Sequence, residues 1–165
     1  MPSKGKAKGN RFEREMSDHL GEVFGMNFER VPNSGAFIGG KNRSRIGRLT
    51  EAQQLLAQGD IIVPEKLSHI TIECKNYKDF AWASLFSENK QLDGWIEQAK
   101  YDNKCWFVIF KVNHCGARVV FDKKYQDIFS PPGNYMIYKE YIITELEDFF
   151  KLNKDTVLQL NNQYV

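Results

Sequence analysis

The stretch from Asp60 to Lys75 constrains the fold more than any other part of the chain. Asp60-Ile61-Ile62-Val63 has the length and branched apolar content of a short strand, and Pro64 to Ser68 has the composition of a turn. From His69 to Lys75 the pattern alternates with a period of two, placing Ile70, Ile72 and Cys74 on one side and Thr71, Glu73 and Lys75 on the other. The connection is short, so the expected pairing of these two strands is an antiparallel hairpin. Helical periodicity lies on both sides of it. Phe12, Met16, Leu20 and Val23 recur at spacings of three and four from Asn10 to about Phe24, with Gly25 as a stop. A second helix is expected over Ser84–Asp102, with Leu85, Leu92, Trp95, Ile96 and Ala99 as its apolar face.

The remaining segments complete a mixed architecture. Phe28 to Val31 reads as a short strand ended by Pro32-Asn33-Ser34-Gly35. Cys105–Lys111 and Ala117–Phe121 form a hairpin across Asn113–Gly116, followed by a strand near Tyr135–Ile143 and a helix near Thr144–Leu152. The core order is helix, three strands, helix, two strands, which predicts an α/β fold with a central mixed β-sheet flanked by helices. At 165 residues, 42% apolar and 27% charged, this is one globular domain over 10–165. Residues 1–9 are expected as a flexible basic arm, and 36–58 as an insertion made of a basic loop and a short helix from Thr50 to Gln58.

No run of about 18 apolar residues is present, so the sequence offers no spanning helix and no membrane partner. The opening MPSKGKAKGN leads into no apolar run, unlike a signal peptide, and three cysteines suit reduced thiols, so a soluble cytoplasmic protein is expected. Charge is unevenly placed. Residues 1–50 hold ten Lys/Arg against five acids, and the rest hold thirteen against sixteen, which suits a polyanion-binding face in the first third.

Chemistry concentrates at Asp60, Glu73 and Lys75. Two converging carboxylates suit a hard divalent cation, Mg²⁺ or Mn²⁺, which takes oxygen ligands and keeps several waters. The carbonyl of Cys74 is a plausible further ligand, and Lys75 on the Glu73 face can orient a water or offset transition-state charge. Alone, a Glu-x-Lys on a strand is usually a solvent-facing ion pair; the preceding Asp strand and turn are what raise it. Cys105, His114 and Cys115 lack the spacing of a zinc site, and Gly39-Gly40 lacks the Lys-Ser/Thr of a phosphate loop, so no small-molecule cofactor is expected. Trp95 and Trp106 fall in apolar patterns and read as core.

Four motifs in order carry a resemblance. Lys8-Gly9-Asn10-Arg11-Phe12-Glu13-Arg14, Arg30-Val31-Pro32-Asn33-Ser34-Gly35, Asp60-Ile61-Ile62 and Glu73-Cys74-Lys75 resemble the PD-(D/E)xK nuclease superfamily, and within it the archaeal and phage Holliday junction resolvases. The resemblance covers about residues 8–75. It implies a restriction-endonuclease-like core, metal-dependent hydrolysis of phosphodiester bonds in branched or duplex DNA, and a two-fold homodimer. It implies that Glu13 approaches the metal site from the first helix, that Arg30 and Ser34 contact phosphate, and that Gln98 is a weaker candidate. Lys8, Arg11 and Arg14 in the basic stretch 4–14, with Lys41, Arg43, Arg45 and Arg48 on the loop, would grip the DNA backbone. Two departures stand out: Gly59 replaces the usual proline before the aspartate, and 36–58 is longer than expected for a resolvase. The alternatives are another nuclease of the superfamily cutting flaps, ends or duplex, and a non-catalytic DNA-binding module.

Overall fold

The computed structural model describes residues 3–32, 58–100 and 104–160. Helix α1 spans Lys4–Phe24. Ser3 caps its start by accepting from the Lys6 N–H, and Gly25 ends it in the left-handed conformation, its N–H donating to the Gly21 carbonyl. Phe12, Met16, Leu20 and Phe24, spaced by four, form the buried stripe. The helix thus takes in Lys4 to Gly9, which the sequence reading assigned to a flexible arm. The Ser3 cap satisfies an end N–H and lets a lysine- and glycine-rich turn join the helix.

Seven strands follow among the described residues. β1 (Glu29–Arg30) and β2 (Ile61–Ile62) pair antiparallel as a two-stranded ribbon. β3 (Ile70–Tyr77), β4 (Cys105–Val112), β5 (Arg118–Asp122), β6 (Met136–Tyr138) and β7 (Tyr141–Glu145) make the main sheet in the order β3-β4-β5-β7-β6. β3 runs parallel to β4, with Glu73 opposite Val108 and Lys75 opposite Phe110, and the other pairs are antiparallel. This is the central mixed sheet flanked by helices that the sequence predicts, the α/β core of restriction-endonuclease-like proteins.

The pairing of the Asp60 segment differs from expectation. Residues 60–63 do not form a hairpin with β3; β2 pairs with β1 instead. The reason lies in the link. After Pro64 the chain turns through a 3-10 helix, Glu65–Leu67, whose Leu67 is fully buried, so the connection packs into the core instead of reversing tightly. β3 then reaches β4 through helix α2 (Lys90–Ala99), and such a crossover makes parallel neighbours. α2 is shorter than expected: Trp82–Phe86 is a separate 3-10 turn, and Asn89 starts the helix anew by accepting from the Leu92 N–H at 2.9 Å. The expected β4–β5 hairpin is present. Near the C-terminus the single expected strand is the β6–β7 hairpin, turning at Lys139 with φ 52°, and the expected helix is two short ones, α3 (Phe149–Leu152) and α4 (Lys154–Gln159).

β4 shows how the layers close. Cys105, Phe107 and Ile109 face a core shared with α1, α3 and α4, while Trp106, Val108, Phe110 and Val112 face a core shared with α2. A strand buried on both faces needs a continuous apolar run, which is what 105–110 provides. On the α1 side Phe24 packs edge-on against Phe150 at 6.2 Å, and His69, at the head of β3, donates from Nε2 to the Val157 carbonyl at 2.8 Å. No helix of the described residues is long and apolar enough to cross a membrane.

Candidate active site

Among the described residues β3 is the outer strand of the main sheet, and its outward edge is where the acidic residues meet. Its parallel ladder with β4 uses the backbone groups of His69 and every second residue after it, as in the Cys105 N–H to His69 carbonyl bond at 3.0 Å. The groups of Ile72 and Cys74 therefore point outward. Asp60 receives them: its N–H donates to the Ile72 carbonyl at 2.8 Å, and its Oδ2 accepts from the Cys74 N–H at 2.8 Å. Its own carbonyl accepts from the Val31 N–H at 2.9 Å, which ties the same residue to the end of β1.

Gly59 makes this approach possible. Its φ is +68°, and a Cβ built on it would lie 2.4 Å from the Ile72 carbonyl oxygen. A proline, whose ring fixes φ near −65°, cannot occupy this position. The departure from the resolvase motif is thus a different backbone route to the same aspartate, and it depends on glycine.

Asp60 and Glu73 are both buried, at 4% and 6% exposure. Lys75 Nζ lies 2.5 Å from Glu73 Oε1. Burial pushes the Asp60 carboxyl up to about 7, with the neighbouring Glu73 adding to the rise and Lys75 and the Cys74 N–H opposing it. Lys75 is held above its ordinary range: burial works against its charge, but Glu73 and then Asp60 outweigh that, with a smaller contribution from Tyr77. Two buried carboxyls share one ammonium, so the site carries surplus negative charge once Asp60 ionises. That surplus, next to the outward-facing backbone of Cys74, fits a small divalent cation, which needs only one or two carboxylates and fills its shell with water. Among the described residues no group of three His, Cys, Asp or Glu side chains forms a ready metal cluster, so an ion here could draw only on this pair, backbone oxygen and water.

Glu13 stands apart from the pair. It is 8% exposed on α1, and Arg30 Nε sits 2.5 Å from its Oε2 while Arg30 Nη2 donates to Asn10 Oδ1 at 3.0 Å. Glu13 adds to the field that, after burial, Asp60 and Glu73, raises the Cys74 thiol. Cys74 faces α1, whereas Glu73 and Lys75 face α2, so Glu13 lies across β3 from the Glu73 and Lys75 side chains. Arg30 braces Glu13. Lys8 Nζ donates to the Tyr77 carbonyl at 3.1 Å and to Asn113 Oδ1 at 2.5 Å, joining α1 to the ends of β3 and β4. Arg11, Arg14 and Gln98 are exposed. Ser34, Lys41, Arg43, Arg45 and Arg48 lie outside the described residues. Trp95 and Trp106 are core, as expected, and Cys105 and His114 lie at opposite ends of β4. The sequence reading passed over Asn10 and Asn113. Asn10 precedes Glu13 by three positions, the spacing of helix neighbours, and so was findable; Asn113 carried no such signal.

Among curated proteins and among solved structures, none matches this chain. Residues 4–159 match the family described as "Phage putative PDDEXK endonuclease", a span that holds α1, Asp60 and the Glu73-Cys74-Lys75 strand together. Coverage of nearly the whole chain, on a mixed α/β sheet with the acidic pair at its edge, makes this protein a member of that endonuclease family.

Proposed function

We propose that the chain is a Mg²⁺- or Mn²⁺-dependent endodeoxyribonuclease whose active site is Asp60, Glu73 and Lys75, and whose substrate is branched DNA, a four-way junction above all. The observation that carries the reading is the buried Asp60–Glu73 pair with Lys75 against it on the outward edge of β3. Asp60, Glu73 and the Cys74 carbonyl would hold the ion, which would supply Lewis-acid chemistry toward a phosphoryl oxygen and a water. Lys75 stays protonated across neutral pH, orients the attacking water and offsets charge growing on the phosphoryl oxygens. Glu13, kept in place by Arg30 and Asn10, acts as a water-mediated partner from the α1 side.

Phosphate contacts come from Lys8, Arg11 and Arg14 on α1, from Arg30 and Ser34, and from Lys41, Arg43, Arg45 and Arg48 on the basic loop. They read backbone shape and not sequence. A junction needs two symmetric cuts, so the working form is a two-fold homodimer with two sites. The test is a set of labelled substrates, four-way junction, flap and linear duplex, each incubated with Mg²⁺, Mn²⁺ or EDTA. We expect metal-dependent, paired cuts in the junction, lost in Asp60→Asn and Glu73→Gln proteins that still bind it. Preferred cutting of flap or duplex would point to another nuclease of the superfamily. Binding without cutting under every metal would leave a DNA-binding module.

A further inference from the structure

Glu73, Lys75 and Tyr77 alternate along β3, so Tyr77 is the next side chain on the face that carries the acid and the lysine. Their register partners, Val108, Phe110 and Val112, all lie in the core under α2, which confirms the shared face. Two residues of strand advance about 6–7 Å. DNA rises about 3.4 Å per nucleotide along one strand. Tyr77 therefore stands within one or two nucleotides of any phosphate that Lys75 addresses.

The ring has a firm base and an open top. Its centroid is 5.0 Å from that of Trp95 with 35° between the planes, and Trp95 in turn rests on Phe80 at 5.6 Å and Phe110 at 5.5 Å. Trp95 is 4% exposed and Tyr77 43%, so this aromatic stack is buried at its foot and solvent-facing at its tip. The backbone beneath the ring is pinned as well: the Tyr77 carbonyl accepts from Lys8 Nζ and from the Asn113 N–H at 3.2 Å. A ring fixed in this way, with Lys75 next along the strand, offers a base the aromatic surface on which it can stack.

We infer that the half-exposed ring of Tyr77, on its side away from Trp95, is a shelf for one unpaired nucleobase beside the scissile phosphate, an inference that rests on the nuclease reading above. In an intact duplex both faces of a base are covered by its neighbours. Only a base freed at a branch point, flap or single-stranded arm can lie on the ring. The shelf thus makes local unpairing part of what the site selects.

The test separates the shelf from the nuclease reading. 2-Aminopurine is placed at the unpaired nucleotides on either side of a branch point, and its fluorescence is followed on binding in EDTA, where stacking on an aromatic ring quenches it. Wild-type protein should quench one position, Tyr77→Leu should lose that quench, and Tyr77→Phe should restore it. In Mg²⁺ the ratio of kcat/KM on the branched substrate to that on paired duplex should fall about tenfold in Tyr77→Leu, the scale of one lost stacking contact, and recover in Tyr77→Phe. If Tyr77→Leu folds poorly by its melting curve, Tyr77→Trp, with the larger ring, should deepen the quench. A quench indifferent to all three substitutions, or an equal loss on both substrates, overturns the shelf. Absence of cleavage by the wild type overturns the nuclease reading while the quench still judges the shelf.

Discussion

Replacing Asp60 with Asn should make the metal-free protein more stable at alkaline pH, even as it removes a metal ligand. The carboxyl is lifted from 3.8 to about 7, chiefly by burial and then by Glu73. Each tenfold change in proton affinity is worth about 1.4 kcal/mol, which sets a ceiling of about 4 kcal/mol on the cost of ionised Asp60. Reorganisation of protein and water around a buried charge leaves about 1–3 kcal/mol of it. The sign follows from linkage. A carboxyl whose folded value is raised stabilises the fold fully below 3.8, and that contribution is lost as pH rises through about 7. Asn is neutral throughout and can still accept the Cys74 N–H bond. In EDTA the melting temperature of Asp60→Asn should match the wild type near pH 4 and exceed it by about 3–10 °C at pH 8, at about 2–4 °C per kcal/mol for a chain of this size. Mg²⁺ should then raise the wild type and leave the variant unmoved. A difference between the two proteins that stays constant from pH 4 to pH 8 would refute the argument, because it would mean that Asp60 ionises freely in its place.

Gly59→Ala should cost about 1–3 kcal/mol and most of the activity, read by thermal melts and cleavage together, because a Cβ meets the Ile72 carbonyl and φ is positive; a normal melt would mean that the segment can shift without harm. Lys75→Ala should lower single-turnover cleavage by about a hundredfold or more while binding weakens by no more than about one phosphate contact. Lys75→Arg should not restore it fully, since a planar guanidinium is a poor substitute for a compact ammonium, and wild-type rates in Lys75→Ala would mark the lysine as a mere strand-end charge. Changing Lys41, Arg43, Arg45 and Arg48 together to Ala should make the dependence of log affinity on log salt shallower, by up to about 0.9 per lost duplex contact, and more for a junction than for a short duplex. Unchanged slopes on both substrates would show those four residues to be plain surface.

The parts of the fold that sequence made legible are those with a single period. The stripe of α1, the alternation of β3 and the apolar run of β4 each follow from local chemistry alone, and each is where it was expected. Sheet partners are another matter. β2 is two residues long, and whether Ile61 lies beside β3 or beside Arg30 is decided by where Leu67 buries, which no local pattern reports. Asp60 still meets Glu73, through two hydrogen bonds to the edge of β3 in place of a hairpin ladder. At Arg30 and Lys8 the sequence displayed two cations but not their partners, since Glu13, Asn10, Tyr77 and Asn113 are supplied by other elements. Tyr77 was within reach: the alternation that names Glu73 and Lys75 names it next.

The anchoring of β3 by residues far downstream bears on how this protein comes into being. The strand that carries Glu73 is held at its head by the Val157 carbonyl, and the helix that carries Glu13 is backed by Phe150. Both supports follow the site residues in the chain and so leave the ribosome after them. A nascent chain that has already emitted Asp60, Glu73 and Lys75 lacks the packing that fixes them, and it stays so until α3 and α4 clear the exit tunnel. Prematurely terminated chains should then be inert fragments and not unregulated nucleases, a useful property in any cell that must translate a DNA-cutting enzyme beside its own chromosome.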